Sequence, residues 1–314
     1  MSASVGPPQA GEPDGLGWKE VAEGNASTPP DMPAPTLQWS QLVVEPPALM
    51  GGGTDTDVYA GTLQGQPVAV KVLRATRCPE AEYAFRQEVR MFMELKLEHP
   101  NVVRAYGWGV RAEGGDAFLV LERLGGGTLR RALTRRLYKD LRRVVQLARD
   151  VAAALAYLHS RGVIYRDLKS SNVLLDEDWT RAVVCDFGIA KLAVGDQAGQ
   201  MTRECGTYQY MSPEVILGKS DYDAKADVYS FGILLNEMCT GEVPFSRQHL
   251  LPVQAAAGVV NKGLRPGMRA SVERKYPELH ALIRKCWAQR DNARPDIAEV
   301  CRELHAILDK YFVE

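Results

Sequence analysis

The sequence lacks the marks of several protein classes. Its six cysteines form neither a C-x-x-C pair nor a metal-ligand spacing, which argues against zinc sites and disulfide scaffolds and favours reduced thiols in an intracellular, cytoplasmic protein. Neither sign of charge is in excess, because 38 basic and 39 acidic residues give a formal net charge of −1. This balance predicts no nucleic-acid partner and no anionic-membrane partner.

Long apolar runs are also absent. The most apolar stretch, residues 144–158, is interrupted by Arg149 and Asp150, whose charges would be costly in hydrocarbon. The stretch is typical of an amphipathic helix in a soluble core, so we predict no membrane span. The amino terminus has no basic start followed by an apolar stretch, which predicts that there is no secretory signal.

The first 38 residues differ in composition from the rest. They contain seven prolines, with much glycine, alanine and serine but few large apolar residues. Such a segment cannot bury enough surface to offset the entropy cost of ordering it. We therefore predict a disordered tail over residues 1–38, with order beginning at Trp39.

The remaining chain changes character near its middle. Residues 42–124 consist mostly of short β-type runs separated by glycine-rich turns, with one helix at about residues 80–97. After residue 128 the apolar period becomes helical, over 141–160, 225–239, 277–288 and 296–312. This order predicts an α+β fold of two lobes in a domain of residues 39–314, with an N-lobe of about 40–124 and a C-lobe of about 125–312.

A carboxylate interrupts the apolar face of the predicted helix. Glu88 falls in line with Phe85 and Phe92 at three- and four-residue spacing, and a buried carboxylate needs a cation or several donors. Lys71 lies in the apolar strand VAVKVL, where alternation puts it on the same face as Ala69. Lys71 and Glu88 alone leave three interpretations open: a structural ion pair, two solvated side chains, or a functional pair.

Three polar motifs lie between apolar segments. Residues 50–59 read MGGGTDTDVY and join two strands. That placement differs from the dinucleotide fingerprint and the P-loop, and it leaves open a hairpin over phosphates or an ordinary turn. Residues 164–172 read IYRDLKSSN, and residues 185–191 read CDFGIAK. Asn172 and Asp186 in these motifs offer the oxygen ligands that Mg²⁺ prefers.

Taken in order, the motifs resemble those of the eukaryotic protein kinases: G-x-G, V-A-V-K, a helix Glu, R-D-x-K-x-x-N, D-F-G and S-P-E. The resemblance covers about residues 40–312. Residues 220–245, 258–266 and 286–300 are similar to the tyrosine-kinase-like branch, which includes Raf-like and mixed-lineage kinases. The resemblance implies transfer of the γ-phosphate of MgATP to Ser and Thr hydroxyls of protein substrates in intracellular signalling, with ATP and Mg²⁺ as cofactors.

The resemblance assigns roles to the motif residues. Asp167 accepts or orients the proton of the acceptor hydroxyl, and Lys169 neutralises charge on the transferring group. Lys71, fixed by Glu88, grips the inner phosphates. The implied magnesium ligands are Asn172 and Asp186, and the implied nucleotide contacts are Met50, Gly51, Gly53, Val58, Ala69, Lys71, Leu121, Glu122, Leu124 and Leu174.

Tyr165 and Ser212 depart from the family pattern. Tyr165 stands where His is usual, and its ring is expected to pack under Phe187. Ser212 replaces the Ala of A-P-E. The family's pairing of the following Glu214 with Arg294 is expected to persist.

Two alternatives to a serine/threonine kinase are kept. A pseudokinase or scaffold would bind partners without catalysis, but Lys71, Asp167 and Asp186 are all present. A tyrosine or dual-specificity kinase is disfavoured because Lys169 follows Asp167 by two residues, as it does in Ser/Thr-directed members of the family.

Three further features bear on partners and reactivity. Thr202 lies between D-F-G and S-P-E and is either an unmodified loop residue or a site of phosphorylation by an upstream activating kinase. Phosphorylation there would add negative charge able to pair with Arg166. The basic cluster within residues 130–143 is interpreted as a solvated helix face, with docking of an acidic substrate or lipid as the alternative. Cys185 is interpreted as a small buried hydrophobe rather than a reactive thiol.

Overall fold

The computed structural model describes residues 32–52, 55–74, 78–113, 115–192, 207–219 and 223–312. The predicted nucleotide contact Gly53 and the predicted phosphorylation site Thr202 lie outside these ranges. Within them the chain forms a β-rich N-terminal lobe followed by a mostly helical C-terminal lobe. The predicted two-lobed α+β fold is therefore confirmed.

The N-terminal lobe is built on one antiparallel sheet with the strand order β1-β2-β3-β5-β4. Its strands are β1 (Leu42–Gly52), β2 (Thr56–Leu63), β3 (Gln66–Leu73), β4 (Ala105–Val110) and β5 (Ala117–Glu122). Alternation gives the sheet two apolar faces. Val70 and its partner Val120 pack in a cluster on one face, whereas Ala69 and its partner Leu121 join the main core on the other. Lys71, two residues after Ala69, lies on that second face.

Helix α1 (Pro79–Leu95) packs against the second face. It begins with proline at its first turn, where the missing N–H costs nothing. Glu80 and Glu82 lie in that turn and complement the helix dipole. The buried side of α1 carries Phe85, Glu88, Val89, Met91 and Phe92. The helix thus delivers a buried carboxylate to the face of the sheet that holds Lys71.

The structured chain begins before Trp39, the predicted start of order. The backbone N–H groups of Thr36 and Leu37 donate to the carbonyl of Trp108 at 2.9 and 3.0 Å, and the Trp108 N–H donates to Thr36 Oγ1 at 3.1 Å. Gly109 makes this approach possible, since a Cβ there would lie 2.1 Å from the Leu37 carbonyl oxygen. Composition alone did not reveal that β4 supplies hydrogen-bond partners to residues 36–37, which the prediction assigned to the tail.

The C-terminal lobe surrounds a buried helix. Its helices are α2 (Leu129–Thr134), α3 (Leu141–Ser160), α4 (Pro213–Ile216), α5 (Lys225–Thr240), α6 (Pro252–Lys262), α7 (Ala270–Lys275), α8 (Pro277–Cys286) and α9 (Ile297–Phe312). Its short strands are β6 (Gly127–Thr128), β7 (Val163–Ile164), β8 (Val173–Leu175), β9 (Ala182–Val184) and β10 (Lys191–Leu192). Helix α5 is buried from Ala226 to Thr240, so it forms the centre of the lobe. No helix in the described ranges is both long and apolar enough to cross a bilayer.

A buried ion pair ties α4 to the chain before α9. Arg294 donates to both carboxylate oxygens of Glu214, at 2.6 and 2.8 Å, which confirms the predicted pairing. The Arg294 side chain is 0% exposed and the Glu214 side chain is 7% exposed. Burial raises the pKa of Glu214, but the hydrogen bonds and charge of Arg294 outweigh burial and hold that pKa below its usual value.

Arg294→Met should lower the free energy of unfolding by about 3–5 kcal/mol, because it leaves the buried Glu214 carboxylate without its cation. Urea denaturation at neutral pH measures the change. Arg290→Met, at an exposed neighbouring arginine, is the matched control and should shift stability by less than about 0.5 kcal/mol. Because the folded-state pKa of Glu214 is lowered, its contribution is complete above the usual carboxyl pKa and is lost as pH falls through the lowered value. The difference in free energy of unfolding between wild type and Arg294→Met should therefore become smaller in acid. Equal free energies of unfolding at neutral pH would contradict a stabilising role for this ion pair.

Candidate active site

A buried aspartate of α5 holds the start of the IYRDLKSSN loop. Asp227 accepts hydrogen bonds from the backbone N–H of Tyr165 at 2.8 Å and of Arg166 at 2.7 Å. His159 Nε2 lies 2.8 Å from the same carboxylate. Arg166 has a φ of 72°, which non-glycine residues rarely adopt, so the hydrogen bond that its N–H donates to Asp227 stabilises an unusual backbone conformation. The core of the C-terminal lobe thereby fixes the residue immediately before Asp167.

The two oxygens of Asp167 have different surroundings. Lys169 Nζ lies 2.8 Å from Oδ2, and Asn172 Nδ2 donates to the same oxygen at 2.8 Å. The other oxygen, Oδ1, is buried and receives no hydrogen bond from any described residue. Burial raises the pKa of Asp167, while the positive charge of Lys169 opposes that rise. One oxygen is therefore held in place, and the other has a hydrogen-bonding capacity that a ligand could satisfy.

Lys71 connects α1 with the CDFGIAK segment. Its Nζ lies 2.6 Å from Glu88 Oε2 and 3.2 Å from Asp186 Oδ1. Glu88 is 1% exposed, whereas the Asp186 side chain is 47% exposed. Burial lowers the pKa of Lys71, but the charges of Asp186 and Glu88 outweigh burial and raise it above its usual value. The charge of Lys71 in turn lowers the pKa of Asp186. The site therefore keeps a cation between two carboxylates, one buried and one accessible.

The ring of Phe187 fixes the orientation of the neighbouring Asp186. Phe187 is fully buried and packs edge-to-face on Phe92 of α1 at 5.1 Å and on Tyr165 at 5.3 Å between ring centroids. The predicted contact between Tyr165 and Phe187 is thus confirmed. Asp186 has a φ of 65°, a strained conformation that costs about 1–3 kcal/mol and that surrounding packing must maintain. The tyrosine hydroxyl also donates to the carbonyl of Cys185.

The donor set fits a magnesium ion bound together with phosphates. Asn172 directs its Nδ2 to the carbonyl and carboxylate of Asp167. Its Oδ1 accepts one long hydrogen bond, from Ser171 Oγ at 3.5 Å, and keeps a lone pair that can ligate a metal. Asp186 presents an accessible carboxylate. Mg²⁺ usually takes one or two oxygen ligands from protein and completes its shell with phosphates and water, so two protein oxygens meet its requirement.

The predicted nucleotide contacts are mostly apolar and lie on both lobes. Ala69 and Leu121 are paired across β3 and β5. Val58 of β2 and Leu174 of β8 are partly buried against the main core, and Leu124 is buried there. Apolar side chains of this kind suit contact with a planar heterocycle.

Glu122 is also a predicted nucleotide contact, but its N–H and its carboxylate already have partners within the protein. Its N–H donates to the carbonyl of Arg104 at 2.8 Å, and its carboxylate pairs with Arg181. Neither group is therefore available to a nucleotide without losing its present partner.

Of the two described glycines in the glycine-rich hairpin, Gly51 and Gly52, one must be glycine. A Cβ at Gly52 would lie 2.5 Å from the carbonyl oxygen of Thr56, whereas a Cβ at Gly51 would meet no atom within 4 Å. Met50 precedes them and is 46% exposed. The close approach that requires glycine is thus made at Gly52, which the sequence analysis did not single out, while Gly53 lies outside the described residues.

Comparison with known families decides what this constellation is. A family model described as protein kinase domain matches residues 45–305, which includes most of both lobes and every described motif. The chain belongs to the protein kinase family. Its predicted place in the tyrosine-kinase-like serine/threonine kinase group is confirmed by its relatives.

The kinase domain is similar in sequence to several plant proteins. It is 38% identical over 261 residues to "Serine/threonine-protein kinase STY46" of Arabidopsis thaliana, covering 82% of this chain and 43% of that protein. It is also 38% identical to "Serine/threonine-protein kinase STY17", with 82% and 43% covered. It is 36% identical to "Serine/threonine/tyrosine-protein kinase HT1", with 82% and 64% covered. The chain thus spans less than half the length of the first two relatives.

The sequence analysis did not identify Asp227, which positions the catalytic loop, but its interpretation of Cys185 as a packing residue fits the structure. Asp227 was not predicted, although a charged residue inside the mostly apolar α5 is a signal that could have found it. Cys185 is partly buried beside the loop, and burial raises the pKa of its thiol. A thiol with a raised pKa is a poor nucleophile near neutral pH, which fits the interpretation as a packing residue.

Proposed function

We propose that this kinase domain transfers the γ-phosphate of MgATP to serine and threonine hydroxyls of protein substrates, in cytoplasmic signalling. The observation that carries the proposal is the asymmetry of Asp167. Its Oδ2 is held by Lys169 and Asn172, whereas its buried Oδ1 receives no bond from a described residue. An acceptor hydroxyl that donates to Oδ1 satisfies this oxygen and is oriented for attack.

The other residues supply position and charge. Lys169, within 2.8 Å of Asp167, places a cation where the transferring group would carry negative charge. Lys71, held by Glu88 at 2.6 Å, offers its ammonium to the inner phosphates. Asn172 and Asp186 would hold Mg²⁺, which would supply positive charge to the phosphates. Phosphoryl transfer depends mainly on such positioning and electrostatics, so the site needs no covalent nucleophile of its own.

Two other functions, a non-catalytic scaffold and a dual-specificity kinase, fit the site less well than a serine/threonine kinase. A scaffold that binds without catalysis would not need the paired Lys71 and Glu88 or the accessible Asp186, all of which are in contact here. Dual specificity toward tyrosine is the second candidate, because one relative is named a serine/threonine/tyrosine-protein kinase. We favour serine and threonine as acceptors, rather than the longer tyrosine side chain, because Lys169 lies beside Asp167. Activation by an upstream kinase at Thr202 stays a prediction.

The purified protein should be offered equal amounts of peptide libraries that contain only serine, only threonine or only tyrosine as acceptor. The expected products are phosphoserine and phosphothreonine, identified by mass spectrometry. Predominant phosphotyrosine would overturn the acceptor assignment. Nucleotide binding without transfer to any library would overturn the catalytic proposal and favour the scaffold.

Lys169→Met should move the acid limb of the pH–rate profile to higher pH. Burial already raises the pKa of Asp167, and the charge of Lys169 limits that rise, so its removal should raise the pKa further. Only the carboxylate accepts a proton, and activity is therefore lost as pH falls through this pKa. The profile of kcat/KM measures the shift. Lys275→Met, at an exposed lysine of α7, should leave the limb in place, and an unmoved limb in Lys169→Met would contradict this role of Lys169.

A further inference from the structure

The segment before β1 binds the edge of the N-terminal sheet. Strand β4 is the outermost strand on one side of that sheet, and residues 32–41 cross its edge at Trp108. The N–H groups of Thr36 and Leu37 donate to the Trp108 carbonyl, and the Trp108 N–H donates to Thr36 Oγ1. We call residues 32–41 the N-terminal clip. The family model begins at residue 45, so the clip lies outside the matched kinase domain.

The N-terminal clip reaches both faces of the sheet. Leu37 and Trp39 pack with the apolar cluster on the face opposite α1, where the Trp39 ring lies edge-to-face on Phe118 at 5.1 Å between centroids. The Arg111 guanidinium covers the Trp39 ring at 4.5 Å from its centroid. Met32, at the other end of the clip, is buried in the main core on the face that carries α1. The clip therefore holds this part of the sheet at its edge and on both faces.

Strand β4 has the shape that the N-terminal clip requires. Glycines flank Trp108 on both sides, at Gly107 and Gly109. A Cβ at Gly107 would lie 2.3 Å from Thr36 Oγ1, and a Cβ at Gly109 would lie 2.1 Å from the Leu37 carbonyl oxygen. Contacts this close exclude a side chain at either position while the clip is bound. The sequence of β4 thus accommodates the clip on both sides of the residue to which it is hydrogen-bonded.

A row of paired residues connects the N-terminal clip with the phosphate-binding lysine. Trp108 of β4 pairs with Leu119 of β5, and Leu119 pairs with Lys71 of β3. Directly opposite residues of antiparallel strands point to the same face. The Trp108 side chain is fully buried in the core that also holds the buried side of α1, and α1 packs against β4. Helix α1 carries Glu88, which lies 2.6 Å from Lys71 Nζ. Strand β4 therefore supports both members of this ion pair.

Resting on the proposed function, we propose that the N-terminal clip is a positioning element for phosphoryl transfer: by holding β4 at Trp108, it keeps α1 against the sheet and Glu88 against Lys71. Release of the clip frees the β4 edge and lowers the fraction of molecules in which the ion pair is formed. The hydrogen bonds and ring contacts of the clip all lie in the N-terminal lobe. Its loss should therefore lower kcat and weaken ATP binding, and leave the KM for the peptide acceptor unchanged.

The test uses substitutions in the full chain, assayed at a temperature at which circular dichroism shows every variant to be folded. Thr36→Val removes the side-chain bond and should lower kcat by up to about fivefold, the equivalent of one neutral hydrogen bond. Thr36→Pro combined with Leu37→Pro removes all three bonds, because proline has no N–H, and should lower kcat by more than about tenfold. The Kd for ATP should rise in the same order.

Two controls keep the hydroxyl chemistry separate from the contact. Thr36→Ser retains the acceptor oxygen and should restore wild-type kcat. Ser40→Ala removes an exposed hydroxyl within the same clip and should change neither kcat nor the Kd for ATP. If the proline pair prevents folding, Thr36→Val and Thr36→Ser make the same comparison. A kcat in Thr36→Val equal to that of Thr36→Ser would overturn the inference.

Hydrogen exchange measured by mass spectrometry separates positioning from a general loss of stability. In the proline pair, the amides of β4 and α1 should exchange faster, whereas those of α9 in the C-terminal lobe should exchange as in wild type. Equal acceleration in α9, or unchanged exchange in α1, would overturn the inference. Absence of transfer by the wild type to any peptide would contradict the proposed function alone, because α1 exchange and the Kd for ATP test the clip without turnover.

Discussion

Asp167→Asn should lower the rate of phosphoryl transfer by about 10²- to 10⁴-fold, the usual contribution of a positioned acid–base group. The amide keeps the size of the carboxylate, but it removes the charge and the proton-accepting oxygen Oδ1, which receives no bond from a described residue. Nucleotide binding should stay within about twofold, because the contacts assigned to phosphates belong to Lys71, Asn172 and Asp186. Turnover and the Kd for ATP, measured on the same preparations, separate the two effects.

The matched control is Asp309→Asn, at an exposed carboxylate of α9. This substitution should change neither turnover nor the Kd for ATP. Wild-type turnover in Asp167→Asn would contradict the assignment of Asp167 to the acceptor proton. A large loss of ATP affinity in the same variant would mean that Asp167 mainly supports the loop.

Much of the secondary structure could be predicted because its signals are local. The bounds of α3 (Leu141–Ser160) are those that the apolar period indicated, and the strand predicted from VAVKVL is β3 (Gln66–Leu73). Helix α3 also carries its own start signal, since Asp140 accepts from the Arg143 N–H at 3.0 Å. Helices α6 and α7 were not predicted. Helix α6 consists largely of Ala and Val, which give a weak helical period, and its position depends on packing against neighbouring elements.

The residues of the candidate site could be predicted better than their contacts. Motif spacing identified Lys71 and Asp186, but they are 115 residues apart in the chain, so only the fold shows that they touch. Arg130 and Glu237 are 107 residues apart, and neither was assigned a role at the site. Their contact depends on α2 and α5 packing at the catalytic loop, and spacing along the sequence carries no record of that.

Lys71→Met should have the other large effect, because it damages both the site and the fold. Loss of the ammonium removes the cation assigned to the inner phosphates, and preorganised electrostatic contacts of this kind contribute about 10²- to 10³-fold to rate. It also leaves Glu88, which is 1% exposed, as a buried carboxylate without a cation. That change should lower the free energy of unfolding by about 3–5 kcal/mol. Turnover, ATP affinity and urea denaturation measure the three consequences.

The double variant Lys71→Met with Glu88→Gln separates the two causes. It removes the buried charge together with its partner, so much of the lost stability should return. Phosphoryl transfer should not return, because the cation is still missing and Asp186, 3.2 Å from Lys71 in the wild type, no longer has its fixed partner. Lys285→Met, at an exposed surface pair with Glu303, should leave both turnover and stability close to wild type. If transfer recovered together with stability in the double variant, Lys71 would be a structural partner of Glu88 and not a phosphate-binding residue.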